Sequence, residues 1–227
     1  MINLNKNYWK ILKLREEAPK SRIIEVDNTY YCLNKSSKIG HIKILLEKIG
    51  DKASILDIGA GDKYFTKLLD HAGFKGTYKS MDTYRMYKHD FYLLEEITGK
   101  YDCITMFELI EHLSINTTIR YIEKAKSLLN QNGVLAISTP NVNHVNQLWR
   151  TDITHIQHYP PRDLYALLRL IGFRAEIEIY RIYIRPKRHS NIIKDIIRRR
   201  VFPLLNKIVA ACLGVDYAQG IMIIAKK

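Results

Sequence analysis

Cysteine is scarce in this chain: its three copies, Cys32, Cys103 and Cys212, lie far apart. An odd number without a CxxC pair excludes a disulfide framework and the usual thiolate metal site. No uninterrupted apolar run is long enough to cross a bilayer. Residues 1–17 mix Asn, Lys, Arg and Glu with apolar residues, which is unlike a signal peptide. We therefore expect a cytoplasmic protein.

Acidic residues are outnumbered, with 23 Asp and Glu against 36 Lys and Arg, so the net charge is +13. A length of 227 residues with 47% hydrophobic content suits one globular domain with a substantial core. The charge excess favours an anionic partner, either nucleic acid or a membrane surface, or else a solvated basic face.

The stretch from Ile55 to Gly61 reads as a buried strand that runs into a glycine turn, and apolar residues at helical spacing follow it. Gly59 and Gly61 lack the Cβ atoms that would keep the backbone away from a ligand. Asp82 closes the next apolar stretch, about 20 residues later, where an acid can accept hydrogen bonds from ribose hydroxyls. This pattern predicts a nucleotide-cofactor loop.

Two residues separate the cofactor options. Lys63 stands near the position where a nicotinamide dinucleotide fingerprint needs its third glycine, and Asp57 would repel a pyrophosphate but attract an ammonium group. The pattern resembles the class I S-adenosylmethionine-dependent methyltransferases. That resemblance implies that Asp57 lies near the methionine ammonium, that Gly59, Ala60 and Gly61 approach the cofactor, and that Asp82 binds the ribose.

The resemblance continues downstream and covers about 39–227. Residues 101–107 are similar to the fourth strand of the family and residues 133–141 to its fifth. Asp90 and Phe91 stand where the family contacts the adenine, and Phe107 is a further candidate contact. The family fold implied is α/β: a doubly wound, Rossmann-like sheet, mostly parallel with an antiparallel edge strand.

Hydrophobic spacing divides the rest of the chain. Residues 1–38 are interpreted as a helical or lid segment and residues 39–227 as the methyltransferase domain. Within that domain the spacing predicts helices over 39–49, 115–129 and 164–171, and later strands over 175–180 and 221–225.

A second cluster, Glu108-Leu109-Ile110-Glu111-His112, places two carboxylates and an imidazole on one side if a helix follows the fourth strand. With His155 farther along, this ExxEH pattern resembles the O-methyltransferases of ubiquinone biosynthesis and the 2′-O-methyltransferases of small-RNA 3′ ends. The second resemblance implies Glu108, Glu111, His112 and His155 as metal ligands, with magnesium or manganese as the ion. Without a metal, His112 or His155 is the candidate general base. The alternative is that Glu108 lines the cofactor pocket, Glu111 orients a loop and His155 is a core residue.

A basic insertion at about 186–215 separates the last two strands. Its apolar residues recur at helical spacing, and six of the surrounding basic residues are Lys187, Arg188, Lys194, Arg198, Arg199 and Arg200. A basic amphipathic helix can lie on an anionic membrane surface or against nucleic acid, or it can pack on its own domain. Its broad apolar side favours lipid or another protein subunit over RNA.

Together these features predict an enzyme that moves a methyl group from S-adenosylmethionine to a hydroxyl of a small-molecule, glycan or lipid-linked acceptor, with peripheral membrane association as an option. One alternative is a metal-assisted RNA 2′-O-methyltransferase. The other is a non-catalytic binding protein on the same fold, for which Lys63 in place of the third glycine is the main argument.

Overall fold

The computed structural model describes residues 2–27, 39–144, 150, 152–185 and 215–227, together with nine single positions between 186 and 214. Five α-helices and seven β-strands are found in these ranges. The helices are α1 (Tyr8–Glu16), α2 (Gly40–Ile49), α3 (Tyr64–His71), α4 (Ile115–Leu128) and α5 (Pro161–Ile171). The strands are β1 (Arg22–Asp27), β2 (Ser54–Ile58), β3 (Thr77–Met81), β4 (Tyr101–Phe107), β5 (Leu129–Pro140), β6 (Ile177–Arg185) and β7 (Gly220–Lys226).

All seven strands form one sheet in the order β1-β6-β7-β5-β4-β2-β3. Only β7 runs against its neighbours β5 and β6 among these strands, while the β1–β6, β4–β5, β2–β4 and β2–β3 pairs are parallel. The α/β fold class is thus confirmed. The predicted antiparallel strand, however, is internal and not an edge strand, because β6 and β1 lie outside it.

The sheet separates two apolar layers. β2 is buried through Ile55 to Ile58, as expected for a central parallel strand covered on both faces. α3 buries Phe65, Leu68 and Leu69 against one face, and α4 buries Ile119 and Ile122 in the cluster on the other. Cys103, predicted to be a core residue, is fully buried.

The first 38 residues differ from the expected helical or lid segment. α1 is helical as predicted and packs along α5, but Arg22–Asp27 forms the edge strand β1. Ile24-Glu25-Val26-Asp27 alternates apolar and polar residues, but over only four residues, which is the shortest stretch that indicates a strand. The part of that segment from 28 to 38 lies outside the described residues, as does most of the insertion. No helix among the described residues is long and apolar enough to span a membrane.

Candidate active site

The glycine loop between β2 and α3 is tied to the end of β3. The amides of Gly59 and Ala60 donate to the carbonyl of Met81 at 2.8 and 3.2 Å, and the amide of Gly61 donates to Asp82 Oδ2 at 2.8 Å. Asp82 Oδ1 accepts from the amide of Tyr84 at 2.8 Å. Asp82 therefore holds the loop in place, and each of its oxygens keeps a lone pair for a ribose hydroxyl.

Backbone conformation explains the residue types in this loop. Gly59 and Gly61 have φ of 80° and 50°, a region in which L side chains are strained. A Cβ on Gly59 would also lie 2.8 Å from Leu109 Cδ1. Lys63 adopts φ of 60°, so it takes the left-handed conformation that glycine usually supplies. The missing third glycine thus leaves the loop conformation intact at a cost of about 1–2 kcal/mol.

Asp57 is buried at the carboxyl end of β2. Its Oδ1 accepts from Thr105 Oγ1 at 2.7 Å and its Oδ2 from Tyr78 Oη at 2.8 Å. Burial raises the pKa of Asp57 to about 6, although these two hydrogen bonds act in the opposite direction. A carboxylate held in this way would be stabilised by a bound cation, such as the ammonium group of a methionine moiety.

A cavity of about 580 Å³ follows the edge of the sheet where the parallel strands have their carboxyl ends. We call this the carboxyl edge. The cavity begins at Asp57 and the glycine loop, passes Glu108 after β4, and ends beside Ile184 on β6. It is also lined by residues of four elements, β1, α2, β4 and β5: Val26, Asp27, His41, Phe107 and Ser138. Its size suits a small-molecule ligand, and ligands of open α/β sheets bind at this edge.

The predicted adenine contacts have mainly a structural role in this conformation. Asp90 Oδ2 accepts from the amide and the hydroxyl of Ser80 at 2.9 and 3.2 Å. The carbonyl of Phe91 accepts from the amide of Asp82 at 3.2 Å, which keeps Phe91 beside Asp82. Phe107 lines the cavity and makes an edge-to-face contact with Phe65 at 5.1 Å between ring centroids.

The predicted helix after β4 begins later than the ExxEH residues. Glu108 has φ of 48°, and Ile110–His112 forms a single 3-10 turn before Ser114 caps α4 by accepting from the amide of Thr117. Glu108 is thereby left outside the group of possible metal ligands that Glu111 joins, although the two carboxylates still interact. Glu108 lines the cavity and accepts from Ser138 Oγ at 2.6 Å, as the pocket-lining alternative expects.

Glu111, His112 and His155 come together as a group whose ligand atoms all lie within 4.8 Å of one another. Glu111 is buried, and neither carboxylate oxygen has a hydrogen bond of normal geometry. Burial, followed by the charge of Glu108, raises the pKa of Glu111 to about 8. Burial also raises the pKa of Glu108. Such an orphaned carboxylate beside two imidazoles fits a divalent cation or a proton.

The two imidazoles are oriented by the loop before α5. Their ring centroids lie 4.8 Å apart, and His112 Nδ1 is 3.2 Å from the carbonyl of Thr154. A carbonyl only accepts, so Nδ1 of His112 carries a proton and Nε2 is left as the ligand or base nitrogen. The same loop is held down by the amides of Ile156 and Gln157, which donate to the carbonyl of Glu111 at 2.9 and 3.1 Å.

Three residues of the site are not predicted by the sequence patterns. Thr105 and Tyr78 hold Asp57, and His41 at the start of α2 lines the cavity with a buried, unpartnered Nδ1. Burial lowers the pKa of His41 to about 4, so its ring is neutral at pH 7. Thr105 is the easiest of the three to find, since it is a polar residue inside the apolar strand β4. The positions of Tyr78 and His41 carried no comparable signal.

Comparison with known proteins identifies the family and the fold. The family model described as a methyltransferase domain matches residues 36–176. A search of curated proteins by sequence finds no match. Among solved structures, an S-adenosylmethionine-dependent methyltransferase from Archaeoglobus fulgidus is 19% identical, with a TM-score of 0.62 over 82% of this chain and 91% of that one. Another from Thermotoga maritima is 14% identical, with a TM-score of 0.57 over 99% and 96%.

A chain of the Pnkp1/Rnl/Hen1 RNA repair complex is also similar, with 14% identity and a TM-score of 0.51 over 82% of this chain but 41% of that one. Such identities establish a shared fold, whereas the family match covers more than half of the sequence. The matched residues 36–176 include the glycine loop, Asp57 in β2 and Asp82 after β3. The chain belongs to the methyltransferase domain family and is an S-adenosylmethionine-dependent methyltransferase.

Proposed function

We propose that this methyltransferase acts on a hydroxyl group of a small-molecule, glycan or lipid-linked acceptor. The observation that carries the proposal is the buried, unpartnered carboxylate of Glu111 within 4.8 Å of His112 and His155. A hydroxyl must lose a proton when its oxygen accepts a methyl group. This cluster supplies groups that can hold that proton or a cation that assists its loss.

The cofactor-binding roles follow the loop geometry. Asp57 would receive the ammonium of the methionine moiety, Asp82 the ribose hydroxyls, and Gly59 and Gly61 the close approach of the cofactor to the backbone. Asp90 and Phe91 would border the adenine beside β3, and Phe107 the cavity wall. S-adenosylmethionine brings a methyl group already activated by its positive sulfur, so these residues need mainly to align it with the acceptor oxygen.

Glu111, His112 and His155 fit a divalent cation, and they would supply one carboxylate oxygen and two ring nitrogens. A bound cation of this kind lowers the pKa of a coordinated hydroxyl and orients its oxygen. Magnesium and manganese accept the carboxylate, and the two nitrogens favour manganese over magnesium. Glu108, bonded to Ser138, would complete the site only by turning away from that hydroxyl. In the metal-free form of the proposal, Nε2 of His112 or a ring nitrogen of His155 takes the proton directly.

A second candidate function is methylation of an RNA 2′-hydroxyl. The same Glu111, His112 and His155 group favours it, because a cation there can engage two vicinal hydroxyls. The net charge of +13 also suits phosphates. A screen of acceptors with and without vicinal diols, scored by S-adenosylhomocysteine release, distinguishes the two. Turnover with a 3′-terminal RNA alone would replace the first proposal with the second.

Calorimetry with S-adenosylmethionine provides the first test. We expect wild type to bind, Asp82→Ala to lose binding, and the exposed helical variant Asp70→Ala to bind as wild type does. Manganese uptake, followed by the loss of the free-ion electron paramagnetic resonance signal, should disappear in Glu111→Ala with His112→Ala. The matched control is Asp70→Ala with His71→Ala, an acid–histidine pair on α3 outside the cluster.

The outcomes separate the parts of the proposal. Cofactor binding without manganese uptake would leave the metal-free O-methyltransferase with a histidine base. A folded wild-type protein that binds no cofactor would refute the assigned roles of Asp57 and Asp82 and favour a non-catalytic binding protein on this fold.

A further inference from the structure

The basic insertion between β6 and β7 exposes large apolar side chains. Seven of them among the described positions are exposed by 40–69%: Ile193, Ile196, Ile197, Val201, Leu204, Leu205 and Ile208. These seven side chains are exposed, whereas Ile192 and Val209 of the same predicted apolar side lie outside the described residues. We call these seven residues the insertion stripe.

The spacing of the insertion stripe is helical on both sides of Pro203, where a proline is expected to kink or break a helix. Ile193, Ile197, Leu204 and Ile208 are separated by 4, 7 and 4 residues, the intervals that return to one helical face. Each described position of the stripe is helical. A run of this size would be costly in water and marks an interaction surface.

The positive charge of the insertion indicates an anionic partner. Between 186 and 214 the sequence has seven Lys or Arg residues and one acid, Asp195. Apolar residues interleaved with that many cations suit an interfacial helix on an anionic bilayer, which accepts both kinds of side chain at once. A second copy would bring two strongly positive segments together. An RNA partner would pair with the basic side chains but would leave the apolar side chains exposed to water.

Topology sets the direction in which this surface faces. β6 runs parallel to β5, so Arg185 ends it at the carboxyl edge, and Gly220 begins β7 at the same edge, opposite Pro140. Ile184, two residues before the insertion, lines the cavity of about 580 Å³. The insertion thus leaves and re-enters the domain beside the mouth of the candidate active site.

We infer that the insertion stripe and its basic residues dock this methyltransferase on an anionic lipid surface, with the carboxyl edge of the sheet beside the bilayer. The docking stands on exposure, charge and topology alone. Its consequence, that the acceptor is drawn from the lipid-linked class, rests on the proposed function. An acceptor held in the bilayer would then reach the cavity from the side of β6.

Flotation with lipid vesicles tests the inference on the 227-residue chain. We expect binding to vesicles of phosphatidylcholine and phosphatidylglycerol in a ratio of about three to one, and little binding to pure phosphatidylcholine. Leu204→Gln with Ile208→Gln should weaken binding by about tenfold or more, since both side chains lose apolar burial. Moderate salt should weaken it as well.

Charge is tested by a matched pair of variants. Arg198→Gln with Arg199→Gln and Arg200→Gln should weaken vesicle binding by at least about tenfold. Lys10→Gln with Lys13→Gln and Lys20→Gln, which removes the same charge from exposed N-terminal positions, should change it much less. Calorimetry with S-adenosylmethionine on every variant shows that the domain is folded, and it separates failure of docking from failure of the proposed function.

Three results would overturn the inference. The first is equal binding to neutral and anionic vesicles or none to either, with cofactor binding retained. The second is a stable dimer in sedimentation that Leu204→Gln with Ile208→Gln converts to a monomer, since this would assign the stripe to a second copy. The third is tighter binding to a single-stranded RNA oligonucleotide than to the anionic vesicles.

Discussion

Affinity for S-adenosylmethionine should rise with pH between 5 and 7 because of Asp57. Burial raises the pKa of this carboxyl to about 6 in the unliganded protein. The proposed partner is the cofactor ammonium, which remains protonated over this range and favours the ionised form of the carboxyl. Binding must therefore expel a proton wherever Asp57 is still protonated.

The magnitude follows from the ionised fraction. With a pKa of about 6, roughly a tenth of the sites are ionised at pH 5 and roughly nine-tenths at pH 7. The apparent Kd should thus fall by about tenfold, or about 1.4 kcal/mol, and level off above pH 7. Near pH 6 about half a proton should be released for each cofactor bound.

Titration calorimetry in two buffers of different ionisation enthalpy measures both quantities. Asp57→Asn should bind more weakly at pH 7 and lose the slope between pH 5 and 7, while the exposed variant Asp70→Asn should retain it. A wild-type Kd that stays flat from pH 5 to 7, with no proton release, would refute the placement of the ammonium beside Asp57.

The same carboxyl affects the stability of the unliganded protein. Because its folded pKa lies above the unfolded value of 3.8, the folded state binds the proton more tightly, and stability falls as pH rises from about 4 to about 6. The loss attributable to Asp57 is up to about 3 kcal/mol. Asp57→Asn should therefore unfold at higher urea concentration than wild type at pH 7 while binding the cofactor less well. Lower stability of this variant at pH 7 would contradict the raised pKa.

Three stability predictions, all measured by urea unfolding, concern conformation and hydrogen bonding. Lys63→Gly should be more stable than Lys63→Ala by about 1 kcal/mol, because only glycine relieves the φ of 60°; equal stability would contradict the strain. Gly59→Ala should lower the free energy of unfolding by about 2 kcal/mol or more, because the added Cβ would lie 2.8 Å from Leu109 Cδ1. Gly61→Ala should lower it by about 1 kcal/mol, because no atom lies within 4 Å of the added Cβ. A larger loss for Gly61→Ala than for Gly59→Ala would contradict the clash with Leu109. Tyr159→Phe should cost about 1 kcal/mol, because its buried hydroxyl donates to Thr118 Oγ1 at 2.8 Å, and no loss would show that this bond is not net stabilising.

Periodicity predicted the elements that bury a continuous apolar face. Residues 101–107 were expected as a strand and form β4 with those bounds, and α4 ends one residue before the predicted 129. The end of α5 was also readable, because Gly172 takes the left-handed conformation after Ile171. In each case the residue pattern within the segment is enough to indicate the structure that the segment adopts in the folded protein.

The features that the sequence did not predict, β1 and the turn at Glu108, both depend on pairing between distant parts of the chain. β1 is a strand because Arg22–Asp27 pairs with β6, more than 150 residues later, and its own apolar pattern is weak. The turn at Glu108 is similar: its amide donates to the carbonyl of Ser138 at 3.1 Å, and this cross-strand bond displaces the start of the helix. Spacing within a segment carries no information on such partners.

Several strained or unsatisfied groups of the described chain lie at the carboxyl edge. Lys63 and Glu108 hold left-handed backbone there, Asp57 is a buried carboxyl, and Glu111 has unpartnered oxygens. The remaining non-glycine residue with positive φ among the described residues is Asn132, a type that tolerates it. Each of the four other groups lowers stability, so folding alone does not account for them. The ammonium of the cofactor would relieve Asp57, and a divalent cation would relieve Glu111. We therefore expect saturation with cofactor plus manganese to raise the unfolding temperature more than either ligand alone. A shift with one ligand that the second leaves unchanged would contradict one of these two pairings.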